Sequence, residues 1–151
     1  MTPSAPTGGR IHSCGQALVE FSIVSLMLCL LVFAVIEMGR MVLVYATVAN
    51  AARVGARYAT VHGSSRSSGA GSANASGPAA NPAQVVTVVK NFASAGLLTT
   101  SRLTIDVTYP GASNLPGQRV DVKVVYPYDP LTTWLPFHVR LGSTSEGVIV
   151  F

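Results

Sequence analysis

Glu20 is the residue whose position asks for chemistry. The stretch CGQALVEFSIVSLMLCLLVFAVIEMGR, residues 14–40, is mostly apolar, and of the six acidic residues in the chain Glu37 stands near its exit while Glu20 stands inside the apolar run itself, four positions after Gln16. An ionisable side chain at hydrocarbon depth costs ~2.5–3.5 kcal/mol on insertion scales, so such a residue pairs with an opposite charge or keeps its water near the bilayer edge. Counted from Ala17 at the helical rise, Glu20 lies only ~5 Å inside the apolar run. Both readings therefore stand at this point. The chemistry on offer is charge pairing.

Little else in the chain points to catalysis. The histidines His12, His62 and His138 are dispersed and have no metal-ligand spacing. No glycine-rich phosphate loop and no G-x-S-x-G elbow occurs. The remaining acidic residues after the apolar run and its exit, Asp106, Asp121, Asp129 and Glu146, read as solvent-facing strand or turn positions. Of two cysteines, Cys29 reads as a small buried hydrophobe within the run and Cys14 precedes it, so no disulfide framework supports the polar region. Ten basic residues give a net charge of +4 but form no cluster of the kind that binds nucleic acid. The expectation is a protein that is not an enzyme, with no cofactor, no metal, no small-molecule substrate and no nucleic-acid partner.

The elements that must position Glu20 follow from pattern. Hydrophobic residues make up 49% of the 151 residues and charged residues 11%, the balance of a chain with a membrane segment. Residues 1–15 are short, polar and rich in Pro, Gly and Ser, and read as a flexible leader. Residues 17–36 carry one charge and suffice to cross a hydrocarbon core of ~30 Å. A cleaved secretory signal would have a shorter apolar core and a small-x-small site soon after it; the nearest such triplet, Ala49-Asn50-Ala51, is too far downstream. Counting Arg10 before the span against Arg40, Arg53 and Arg57 after it would by itself put the C-terminal side in the cytoplasm.

No proline interrupts the helix beyond Arg40, so it is expected to run from Gln16 to His62. On a 3.6-residue period Met41, Val44, Tyr45, Val48, Ala52, Gly55, Ala56 and Ala59 share one side, opposite Arg40, Thr47, Asn50, Arg53 and Arg57. Leu43, Val54 and Tyr58 fall outside this division. The small residues Ala51, Ala52, Gly55, Ala56 and Ala59 permit close backbone approach, either to the chain's own sheet or to a helix of another subunit. Residues 63–83 form a Gly/Ser/Ala/Asn/Pro linker that contains a chance sequon at Asn74. A second helix is expected over Ala83 to Leu98, with Gly96 as its stop. RLTIDVTYP and RVDVKVVYPY alternate as half-buried strands, LTTWLPF is a short apolar loop, and HVRLGSTSEGVIVF is a last strand. The fold class is α+β: a long N-terminal transmembrane and amphipathic helix packed on a small domain, residues 84–151, of one helix and about three antiparallel strands.

The junction GQALVEF looks like the processing site of type IV pilins and pseudopilins. GQALVEFSIV leading through EMGRMVLVYATVANAARVGARYA is similar to the TadE-like family of tight-adherence (Flp-type) pilus assembly proteins. The later VDVKVVYPYDPLTTWLPF also resembles that family's C-terminal strand and loop. The resemblance implies that a membrane prepilin peptidase cuts between Gly15 and Gln16, and that Glu20, with the paired aromatic Phe21, is the recognition and assembly carboxylate. The new amine at Gln16 and the carboxylate at Glu20 would stand i, i+4 on one helix face, so the carboxylate of one subunit could pair with the amine of a neighbour in a low-dielectric bundle. Glu37 and Arg40 would sit near the outer membrane face, either as a local ion pair or as plain markers of the helix exit. The implied function is a minor pilin-like subunit, N-terminus inside and domain outside the cytoplasmic membrane. Its implied partners are the prepilin peptidase, other pilins or pseudopilins, and the secretion platform proteins. The alternative is an uncleaved signal-anchor protein whose outer domain is a binding module.

Overall fold

The computed structural model describes residues 11–64, 81–131 and 139–150, with side chains from Gly15 onward. The segment LTTWLPF apart from Leu131, the Asn74 sequon and the first ten residues lie outside the described residues. Helix α1 spans Ile11–Val61 and α2 spans Ala83–Ala95. A 3-10 turn at Thr100–Arg102 leads into strands β1 (Thr104–Thr108), β2 (Arg119–Tyr128) and β3 (Val139–Val148). The helix thus starts four residues before Gly15, inside the stretch read from sequence as leader: no proline lies between Pro6 and the end of α1, and a helix once nucleated propagates through a single glycine.

The chain divides into two compact units, one ending at Gly39 and one running from Arg40 to Phe151. In the first, large apolar side chains lie exposed on every side of α1, from Leu18 to Met38. This is the one helix among the described residues long and apolar enough to cross a membrane, and none of its most apolar window is buried. Cys29, expected as a buried hydrophobe, is a free thiol on this exposed surface, because nothing in the unit packs over it.

The second unit is a two-layer α+β domain. The sheet has the order β1-β2-β3, antiparallel throughout, with Val107 opposite Val122 and Val122 opposite Ser145. The alternation of β2 is realised: Val120, Val122 and Val124 are fully buried on one face. Val85, Val89 and Ala93, spaced by four along α2, meet them, as do Val48, Ala51, Ala52, Ala56 and Ala59 of α1. Gly96 caps α2 as expected, its N–H donating to the Phe92 carbonyl. The edge strand β1 is short and is closed by Asn81, whose side-chain oxygen accepts from the Val107 N–H at 2.7 Å while its own N–H donates back to the Val107 carbonyl. Asn81 adopts the left-handed conformation, φ 55°, which asparagine tolerates. It lies in the stretch expected as linker, so that the end of the stretch adjoining α2 is tied to the sheet, as Ser64 at its start is tied to the Asn114 carbonyl.

Three expectations about faces need correction. Tyr45 has the angular position of the apolar side but is 51% exposed, because the buried stripe of α1 begins only at Val48. Tyr58, set outside the stripe by period, instead packs against the core and stacks on His62 at 3.9 Å between ring centroids. Asp121, expected to face solvent, is half-buried opposite Glu146, with one carboxylate oxygen buried and unpartnered among the described residues.

Candidate processing and assembly site

Gly15, Gln16, Glu20 and Phe21 all lie within α1 and all are exposed. Gln16 and Glu20 are one turn apart, so the four-residue spacing puts them on one face, and Phe21 projects beside them at 70% exposure. Among the described residues Glu20 has neither an ion-pair nor a hydrogen-bond partner. The one hydroxyl nearby, Ser22, is already satisfied by donating to the Leu18 carbonyl at 2.7 Å. The site is therefore an unpaired carboxylate on an otherwise apolar helical surface, one turn beyond a glycine with open space around it. Such an arrangement can form a charge pair with something outside the described chain. No group of histidine, cysteine and carboxylate side chains suited to a metal occurs among the described residues.

The remaining sequence-derived positions separate into two places. Ala52, Gly55, Ala56 and Ala59 are buried in the domain core, where a Cβ on Gly55 would lie 2.5 Å from the Val89 side chain. The close approach these small residues allow is thus made to the chain's own α2 and β2. Glu37 is half-buried near the end of the first unit. Arg40, the first residue of the second unit, donates to the Asp129 carbonyl and stands over the Tyr128 ring, 5.0 Å from its centroid.

Sequence reasoning did not anticipate this last cluster. Asp129 also accepts from Arg102 at 2.6 Å through its carboxylate, so two arginines distant in sequence converge on one residue. The sequence marked Tyr128 only as the end of a strand and Asp129 only as a solvent-facing strand or turn position. Nothing local links Asp129 to Arg40, 89 positions away.

No curated protein and no solved structure matches the chain. Residues 15–57, from the glycine before Gln16 to the core-facing turns of α1, match the family model of TadE-like proteins, so that over this segment the chain is similar to that family.

Proposed function

We propose that the chain is a minor pilin-like subunit of a tight-adherence type IV pilus, matured by a prepilin peptidase that cuts after Gly15. The family match associates it with pilus assembly in general terms. The finer reading is carried by Glu20: an unpaired carboxylate near the start of an apolar helix, five residues past Gly15 and inside the matched segment. Such a charge is costly in hydrocarbon unless an opposite charge meets it. Cleavage would create an amine at Gln16, and the Glu20 carboxylate of one subunit would pair with the Gln16 amine of the next. Gly15 suits a cleavage point because glycine lowers helix stability by ~1 kcal/mol relative to alanine, which helps the Gly15–Gln16 bond unwind into a protease. The N-terminus then lies in the cytoplasm and the domain from Arg40 onward outside the membrane. Long C-terminal domains translocate largely regardless of their charge, so the arginines after the span do not oppose this orientation. Partners are the peptidase, other pilins or pseudopilins, and the platform proteins that extract subunits from the membrane.

The test is Glu20→Ala in the native cell. Membrane insertion and protein level are expected to persist while piliation is lost. Full piliation in the variant would reduce Glu20 to an interfacial residue and favour an uncleaved signal anchor with a binding module outside.

A further inference from the structure

The sheet of the second unit has two edges, and they end differently. At β1 the outward N–H and carbonyl of Val107 are both taken by Asn81. β3 is the other edge, twice as long, and no strand lies on its outer side among the described residues.

The register fixes which groups of β3 point outward. In an antiparallel ladder, pairs that exchange hydrogen bonds alternate with pairs that do not. Val107 bonds outward to Asn81, so its opposite residue Val122 bonds the other way, to Ser145 of β3. The Ile149 N–H, donating to the Gln118 carbonyl at 2.9 Å, keeps the same phase. Leu141, Ser143 and Ser145 therefore spend their backbone groups on β2, while Arg140, Gly142, Thr144 and Glu146 turn theirs outward. Among the described residues nothing bonds to this outward run. Further on, the Val150 N–H donates to the Thr60 carbonyl at 2.8 Å, which closes the edge there.

An open run of this kind is a template for another strand, and natural edges are commonly blunted by lysine, proline or a bulge. β3 contains neither residue, and its register with β2 is unbroken. The side chains of the four outward residues are all exposed, on the face of the sheet away from the helices. Gly142 and Thr144 are small, and Arg140 and Glu146 set opposite charges at the two ends. Neither charge has an ion-pair partner among the described residues. Within the sheet Glu146 stands opposite Asp121, like charge against like, so a cation on its free side would be favoured.

We propose that the β3 edge takes an extended segment of another protein as an added antiparallel strand, with a basic residue opposite Glu146 and an acidic residue opposite Arg140. A lone strand meets only the open run, whereas a second folded copy would also bring its own Thr60 turn against the start of β3. This goes beyond the assembly reading and stands or falls separately from cleavage after Gly15.

The test is residue-resolved amide exchange of the full chain in lipid nanodiscs. The probes are a decapeptide alternating threonine and valine, with lysine second and glutamate eighth, and a counterpart with those two exchanged. In the free chain the amides of Leu141, Ser143 and Ser145 are expected to exchange slowly and those of Gly142, Thr144 and Glu146 fast. The first peptide should slow the fast set and leave the slow set unchanged. The exchanged peptide should bind roughly five-fold more weakly, because two cross-strand pairs turn from attractive to repulsive. Arg140→Glu combined with Glu146→Arg should reverse that preference, a result that misfolding cannot produce. Thr144→Pro removes only an outward N–H, so it should abolish the peptide's effect while Leu141 and Ser143 stay slow. No protection by either peptide, or equal protection by both, overturns the site. A fast set that is already slow in the free chain shows the edge covered from within and overturns it too. Slowing that grows with protein concentration, without peptide, would make a second copy the occupant and overturn the assignment to another protein.

Discussion

The two stretches of α1 are both apolar and both helical, yet they use those properties oppositely. From Leu18 to Met38 the side chains are leucine, isoleucine, valine, methionine and phenylalanine, and they lie exposed all around the helix. From Val48 to Ala59 the inward residues are mostly alanine and glycine, and they are buried to a few per cent or less. Large side chains on every side suit a surrounding that is itself apolar and shapeless, such as lipid. Small side chains on one stripe suit a rigid neighbour that must come close, here Val85, Val89 and Val122. Asn50, Arg53 and Arg57 already lower the mean hydropathy of the second stretch; side-chain volume and its angular distribution add what each stretch packs against.

The contrast breaks most sharply at glycine. Gly55→Leu should destabilise the outer domain by about 3 kcal/mol or more, because overpacking a close helix contact forces backbone shifts. Gly39→Leu, where a Cβ meets nothing within 4 Å, should leave the domain's unfolding midpoint unchanged. Thermal unfolding of both variants in detergent or bilayer checks the pair. Next in size, Val122→Ala should cost about 2 kcal/mol through lost burial and a residual cavity, whereas Val32→Ala should cost the domain nothing. Asn81→Gly keeps the left-handed backbone but removes the acceptor for the Val107 N–H; a loss of about 1 kcal/mol is expected, with faster amide exchange at Val107.

The smallest effect is electrostatic. Burial raises the Tyr109 pKa above its ordinary 10.0. Folding therefore favours the protonated phenol, so the domain keeps its full stability below pH 10.0 and loses some as pH rises through and beyond that value. Tyr109→Phe should flatten this alkaline decline, as followed by denaturant midpoints against pH.

Periodicity made much of this architecture readable. The β2 valines, the α2 stripe and the Gly96 stop needed only local pattern, since each element buries one face. The spacing of Gln16 and Glu20, one helical turn apart, shows them on one helix face; the role of the Gly15, Gln16, Glu20 and Phe21 junction is the proposed one. What was hidden depended on distance or on backbone conformation. Arg40 and Asp129 meet across 89 positions, which no local pattern encodes. Leu97 follows the Gly96 stop, and its left-handed conformation contradicts its own propensity, so nothing local in the sequence marked it. Asn81 read as part of a low-complexity tract because its role comes from the unpaired edge of β1. Tyr45 had the right angle and the wrong height, and a helical period reports only the angle.

The most direct test of the account is the intact mass of the protein purified from its native membrane. The account predicts a polypeptide beginning at Gln16, with allowance for cyclisation or methylation of that residue, whose Glu20 is then positioned to meet a neighbour's new amine. A polypeptide that still carries residues ahead of Gln16 would contradict it, leaving α1 as a plain anchor.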